Sequence, residues 1–442
     1  MERVSPESST EVIAHSSPVA AGPAELPQTT AARVGSAAGL ALLGLVAVLL
    51  LGLGANPGAA AFELSSPSAS LQIPIIRVPA RGTAVALGAL VLVLSGWQLA
   101  HGFRRRGRRR ALAVSLVATL LAFLCWAGSG TAGTVIDMLG LLQNTIFLAV
   151  PLVLGALAGV LCERSGVINV AIEGQMLSGA FSAAMFATLA HNLGVGVVAA
   201  MISGGLIGAL LAVFAIKYLV NQVILGVVLN VFALGVTGFL YDALMQPDQN
   251  TFNSPALFAP VRLPLLGELP VLGPLLFDTN VLVYLTYVLI AVVHVGLFHT
   301  RWGLRTRSVG EHPRAADTVG INVTRVRYRN VIAGGLVAGL AGAYITIGTV
   351  GAFTKNISSG KGFIALAALI FGRWSPLGAL GAALLFAFAD ALQTVLSIIG
   401  TPVRIPSAFL AMFPYLATIF AVAGLVGRVR APAADGQPYV KS

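Results

Sequence analysis

Long apolar runs separated by short polar breaks fill most of the chain. Runs of about 20 residues suffice for a helix to cross roughly 30 Å of hydrocarbon. The pattern predicts spans at residues 36–53, 83–100, 111–127, 145–160, 195–216, 221–241, 281–299, 331–350, 377–398 and 409–426. A segment from residue 166 to 180 also enters the bilayer, although it carries polar groups. One run breaks the rule. Residues 363–371 make a helix of about 13 Å, too short to cross. Charge placement still wants Lys355 and Lys361 outside and Arg373 inside. A broken segment resolves the conflict, because irregular backbone is tolerated where it lines a cavity or is buried in protein. A transmembrane barrel would instead show short alternating strands. The expected fold is an all-α membrane protein, a polytopic transmembrane helical bundle with one broken or re-entrant helix region.

Composition agrees. Of 442 residues 57% are hydrophobic and 10% charged, against about 25% charged in soluble domains. The net charge of +11 does not indicate nucleic acid, since the arginines cluster between spans, where inside-positive topology and anionic headgroups account for them. The six-arginine run at 104–110 reads as a topology anchor. Residues 1–33 read as a disordered cytoplasmic tail and not as a secretory signal. Residues 56–80 and 242–279 are Pro-rich and read as outer loops, the second with Arg262 as its one basic residue. Arg428 and Arg430 mark a cytoplasmic C-terminus, with 428–442 as a tail. The expected divisions are thus a tail (1–33), an N-terminal transmembrane region with an Arg-rich loop (34–140), a main transmembrane domain with a loop at 301–329 (141–427) and a C-terminal tail. Cys125 and Cys162 lie in or beside apolar runs without metal-ligand spacing, so they read as buried structural cysteines and no metal site is expected.

The longest polar passage in the apolar body is 301–329. It holds seven arginines (Arg301, Arg305, Arg307, Arg314, Arg325, Arg327, Arg329) against Glu311 and Asp317, and so belongs in the cytoplasm. Within it Glu311-His-Pro-Arg-Ala-Ala-Asp317 predicts a short helix, with Pro313 at its first position, Glu311 at the positive end of its dipole and Gly320 ending it. The order Val309-Gly-Glu311, Pro313, Ala315-Ala316, Gly320-Ile-Asn322 resembles the cytoplasmic coupling segment of ABC importer permeases. The resemblance is to the simple-sugar and nucleoside branch, related to ribose and branched-chain amino-acid permeases. It covers about residues 141–427. His312 and Ser308 depart from the family pattern, where Asn and Ala are common. The resemblance implies that Gly310, Glu311, His312, Pro313, Arg314, Ala315, Ala316, Asp317 and Gly320 couple the chain to an ATPase.

Other stretches carry the same resemblance: Glu163-Arg-Ser-Gly166, Ile168-Asn169, Ile172-Glu-Gly-Gln-Met176, Asn221-Gln-Val-Ile224 with a deeper Asn230, Phe371-Gly-Arg-Trp-Ser-Pro376 and Pro414-Tyr-Leu-Ala-Thr418. Asn169, Glu173, Gln175, Asn221, Gln222 and Asn230 are polar groups at membrane depth, where they are costly and face a cavity, the bundle interior or a partner. Two readings fit them: walls of a route for a hydroxyl-rich solute, or an interhelical hydrogen-bond network.

The implied function is the permease subunit of an ABC importer passing a nucleoside or simple sugar inward by alternating access. The chain has no GxxxxGK[ST] P-loop, so it needs no cofactor of its own; ATP and Mg belong to a partner. The implied partners are ABC ATPase subunits, a second permease (a paralogue), an extracytoplasmic solute-binding lipoprotein, the bilayer and a small polar solute. The implied location is the cytoplasmic (inner) membrane with both termini inside. An ion-coupled secondary carrier is the alternative; it needs buried acids, of which Glu173, Asp137 and Asp390 are candidates. No HExxH and no GxSxG elbow occur, so enzymatic function is not expected.

Overall fold

The computed structural model describes residues 29–65, 72–130, 135–403, 406, 409, 412 and 430–441. The predicted span at 409–426 apart from Phe409 and Met412, the Pro414–Thr418 element, Arg428 and almost all of the predicted tail at 1–33 lie outside the described residues. The described chain is helical, with a few very short strands. Nine of its helices are long and apolar enough to cross a membrane, among the described residues. The chain forms two units, 1–60 with 78–130, and 61–77 with 131–442.

The first unit is a three-helix hairpin array. Helix α1 (Thr30–Leu45) continues as a π-helical stretch to Gly52, followed by α2 (Ala80–Ala100) and α3 (Arg105–Gly128). Buried polar side chains tie α1 to α2. Ser95 Oγ donates to Ala37 O at 2.8 Å and Gln98 Nε2 to Ser36 Oγ at 2.8 Å. Helix α3 begins inside the arginine run, six residues before the predicted start of that span. The run is thus largely helical and not a loop, because arginine is a good helix former.

The second unit begins with α4 (Met138–Glu163), α5 (Ile172–Ala190), α6 (Leu193–Ala212) and α7 (Gln222–Leu240). The short helices α8 (Gln249–Phe252) and α9 (Leu272–Leu276) lie in the loop expected outside. There Pro260–Arg262 pairs antiparallel with Asp278–Asn280. Then come α10 (Val281–His299), α11 (Arg301–Glu311), α12 (Pro313–Thr318), α13 (Val323–Ile345), α14 (Lys361–Phe371) and α15 (Pro376–Ile399).

Burial separates the helices by role. Of the apolar windows of α4 and α13, 83% and 78% are buried, against 28% for α7. The first two therefore form the centre, and α7 shows one face outward. Gly226, Leu229, Asn230 and Ala233 face in, while Val227, Val228, Val231 and Phe232 are exposed. An exposed face this apolar is stable against lipid, not water. Small residues bring α13 against its neighbours at backbone contact. A Cβ on Gly339 would stand 2.1 Å from Ala200 O of α6, and one on Gly342 would stand 2.0 Å from Met176 O of α5. Close approach of this kind takes the place of hydrophobic driving force between helices in lipid. Cys125 and Cys162 are both free and buried.

The run at 363–371 folds as α14, 11 residues long, entered through a left-handed Gly360 and left through an elbow at Gly372–Ser375. A short helix closed at both ends by turns is the broken region that its length predicted.

Candidate functional site

The polar passage 301–329 folds as two helices and the start of a third. Thr300 caps α11, its hydroxyl accepting from Gly303 N at 3.3 Å. Pro313 opens α12 as expected, but Glu311 does not start that helix. It sits in the last turn of α11, and the short helix is Pro313–Thr318. Proline pushes the residue before it out of helical conformation, so His312 turns extended (φ −141°, ψ 80°) and divides the two helices. Gly320 follows with φ +84°, a left-handed value that glycine adopts freely. Val309, Ala316 and Val323 form a small buried cluster, with Ile321, Val326 and Tyr439 against it. Glu311, His312, Arg314 and Ala315 are exposed at the tip, while Gly310 is buried.

Gly310 is where this passage meets the bundle. A Cβ there would lie 2.3 Å from Arg164 O. Arg164 in turn donates from Nε to Trp374 O at 2.8 Å and from Nη2 to Arg373 O at 3.3 Å. Its guanidinium and that of Arg307 both lie over the Phe298 ring, at 5.7 and 5.2 Å. Burial lowers the Arg164 pKa, Glu311 opposing that and Arg307 adding to it. Arg373 and Trp374 both have positive φ, +56° and +52°. Such residues cost about 1–3 kcal/mol each and persist where surroundings over-determine them. Here the surroundings are Arg164 on the two carbonyls and Glu163, whose Oε2 accepts from Trp374 Nε1.

Four of the six polar positions within the membrane converge on the start of α5. Asn169 Nδ2 donates to Gln175 Oε1 at 3.0 Å, and its Oδ1 accepts from Ala171 N at 3.1 Å. Asn230 of α7 accepts from Gly174 N at 2.8 Å and donates to Val170 O at 2.9 Å. Glu173 reaches instead across to α14. Its Oε1 accepts from Ser358 Oγ (2.6 Å) and Gly360 N (2.8 Å), and its Oε2 from Gly362 N (2.6 Å). It caps α14 from a neighbouring helix, a carboxylate at the positive end of the dipole. Gln222 stands slightly apart, accepting from Ile168 N at 2.7 Å. Asn221 does not join them. It is exposed and caps its own helix, accepting from Val223 N and Ile224 N. Gln175 Nε2 is buried and has no protein partner among the described residues.

Two sets of residues carry structure that the sequence reading left without a role. Glu163 and Arg164 stand in the Glu163-Arg-Ser-Gly166 stretch, and only the fold shows that they grip the α14–α15 elbow. The C-terminal tail is the other. Asp435 stands against Glu163 at the end of α4, two carboxyls facing each other. Burial pushes Asp435 from 3.8 up to about 7, against the pull of the Glu163 side chain, the Gly436 backbone and the Arg327 charge. Prolines on both sides of Asp435-Gly436 were the available signal for an ordered turn.

With the geometry in place, the comparisons with known proteins bear on it. The family described as Branched-chain amino acid transport system / permease component matches residues 141–424. The guanosine ABC transporter permease protein NupQ of Bacillus subtilis is 44% identical over 307 residues, 67% of this chain and 95% of that protein. The nucleoside ABC transporter permease protein NupC of Lactococcus lactis is 38% identical over 309 residues, 68% of this chain and 97% of that protein. NupP of Bacillus subtilis, also named a guanosine ABC transporter permease protein, is 24% identical over 322 residues. No solved structure matches the chain. The chain belongs to this permease family: it is a multi-pass membrane permease component of an ABC transporter, and not an enzyme.

Proposed function

We propose, from this family membership, that the chain is a permease subunit of a nucleoside importer. The observation that carries the solute is that NupQ and NupC, matched over nearly their whole lengths, are named for guanosine and nucleoside transport. In this reading ATP binding closes two partner ATPases, their grooves carry α12 and the exposed tip Glu311–Ala315 with them, and the bundle alternates between outward and inward openings. An extracytoplasmic binding protein delivers the solute. A second, paralogous permease completes the pair, in keeping with the two guanosine permeases of one organism among the relatives. Both termini face the cytoplasm, the side to which Arg301–Glu311 and its arginines are assigned.

Of the six intramembrane polar positions, Gln175 is the one that we assign to the solute route. Its Nε2 is a buried donor without a protein partner among the described residues, and such a group costs about 1–3 kcal/mol unless something accepts from it. A ribose hydroxyl or a base carbonyl would. The remaining five hold backbone together, and Glu173, accepting three donors, is poorly placed to carry a proton for an ion-coupled carrier.

The test is uptake of labelled nucleosides by cells expressing the chain with its ATPase, second permease and binding protein. Uptake that needs all four and survives collapse of the proton gradient is the expected result. Uptake by this chain alone, lost with the gradient, would overturn the reading.

A further inference from the structure

The C-terminal segment folds back onto the surface just assigned to the ATPase. Residues 433–436 form a turn between Pro432 and Pro438. On one side Ala434 N donates to Gly310 O at 2.9 Å and Ala433 N to a Glu311 carboxylate oxygen at 3.2 Å. On the other, Arg327 of α13 donates from Nη1 to Gln437 O at 3.0 Å. Below, Asp435 faces Glu163 at the end of α4, and a Cβ on Gly166 just beyond that end would lie 3.0 Å from Ala434 O. Ala434 is 3% exposed. Gly436 has φ +74° and so little room that a Cβ would lie 2.6 Å from Ile168 Cδ1. The segment therefore touches α11, α13, the end of α4 and the α4–α5 connection at once.

It also closes the core of the coupling passage. Helix α12 has six residues, with Ala316 buried, and a helix this short is not stable without packing. Its packing is the cluster of Val309, Ala316 and Val323, to which the tail contributes Tyr439. A cleft of about 810 Å³ beside it is lined by Asp317, Ile321, Arg325 and Tyr328 from the passage and by Tyr439 and Lys441 from the tail.

We propose that residues 431–441 are a latch that completes the ATPase-docking surface, clasping the α11–α12 corner to the end of α4 so that α12 is presented in one fixed geometry. This rests on the assignment of α12 as the coupling helix. The latch also joins the dock to the α14–α15 elbow, because Glu163, which accepts from Trp374, stands against Asp435 of the tail. A push on α12 thus reaches the short helix by two routes, through Arg164 and through the tail.

The experiment compares three variants in the assembled complex: a chain ending at Arg430, Gly436→Val, and Arg314→Glu on the exposed face of α12. Membrane insertion is scored by protein level, and docking by the concentration of ATPase that half-saturates binding to the solubilised permease. The latch predicts that the shortened chain inserts normally and binds ATPase about tenfold more weakly, which corresponds to ~1.4 kcal/mol. If the shortened chain fails to insert, Gly436→Val, which keeps the length and lifts the turn off Ile168, decides by the same readout. Unchanged ATPase binding in whichever of the two inserts, with Arg314→Glu losing it, overturns the latch and leaves the coupling assignment standing. Retention of ATPase by Arg314→Glu would instead overturn the coupling assignment itself.

Discussion

The two ends of α14 are each held by a glutamate from a neighbouring helix, and the two glutamates are held in opposite ways. At the N-terminal end, Glu173 accepts one hydroxyl and two backbone N–H groups. These are fixed donors on a helix start, and the carboxylate has an unshared job. At the C-terminal end, Glu163 accepts from the Trp374 indole and faces a second carboxyl, Asp435, which belongs to the tail. One end is a cap, closed by groups local to α14. The other is a junction through which the elbow, the tail and the coupling passage meet. The short helix is anchored at one end and addressable at the other, which is what a part moved from the ATPase side requires.

The sharpest way to break this contrast is at the anchor. Glu173→Ala removes the acceptor for three donors. At about 1.5–3 kcal/mol for each charge-assisted bond, the loss is ~5 kcal/mol, a large share of the ~5–15 kcal/mol that holds a folded domain together. Folded protein should nearly vanish from membranes, measured as the monodisperse fraction after solubilisation. Glu173→Gln should be far milder. Its carbonyl can keep Ser358 and Gly360, and its amide then faces the Gly362 N–H, at a cost of ~1–3 kcal/mol. Nucleoside uptake should persist in that variant. A stable Gln variant without uptake would mean that the carboxylate does more than cap.

At the junction the expected effect is smaller and of a different kind. Trp374→Phe keeps the ring packing and deletes the indole donor to Glu163. The expected loss is ~2 kcal/mol for one charge-assisted bond, read as a lowered unfolding midpoint. The elbow residues Arg373 and Trp374 would also lose one of the holds on their left-handed backbone. Uptake should therefore fall while nucleotide hydrolysis by the partner continues. Equal losses in uptake and hydrolysis would place Trp374 in stability alone and dissolve the distinction between the two ends.

How much of this was legible beforehand follows the same division. Span positions were readable because apolar runs of fixed length have one use in lipid, and the shortness of 363–371 exposed the broken helix by arithmetic. Glu173 stood out, since an acid at that depth needs a partner; its partner, 185 residues away at Ser358, could not be read from spacing. Glu311 was misplaced by one helix because its charge suited a dipole that His312, turned extended before Pro313, gave to the next residue instead. The tail carries neither an apolar run nor a charge cluster. Its role depends on where Gly310 and Arg327 present a carbonyl and a guanidinium, and that is a property of the folded surface.

The smallest effect expected is also the one that tests whether the junction senses its surroundings. Burial holds the Asp435 carboxyl at about 7 in the folded chain against 3.8 when unperturbed. The folded protein thus binds this proton more tightly than the unfolded one, so the attachment of the tail is strongest below that window and weakens as pH rises through it. The neighbouring Glu163 carboxyl and the Arg327 charge facing the site both limit the change, to on the order of 1 kcal/mol over the range. Protection of the amides of residues 431–441 in the purified complex, each exchange rate taken relative to the intrinsic base-catalysed rate at the same pH, should fall several-fold from pH 5 to 8, by the ~1.4 kcal/mol per decade rule. Asp435→Asn, which cannot lose a proton, should flatten that dependence while leaving the exchange of α5 and α14 untouched. A dependence that survives in the Asn variant would move the titrating group elsewhere and make the junction as fixed as the cap.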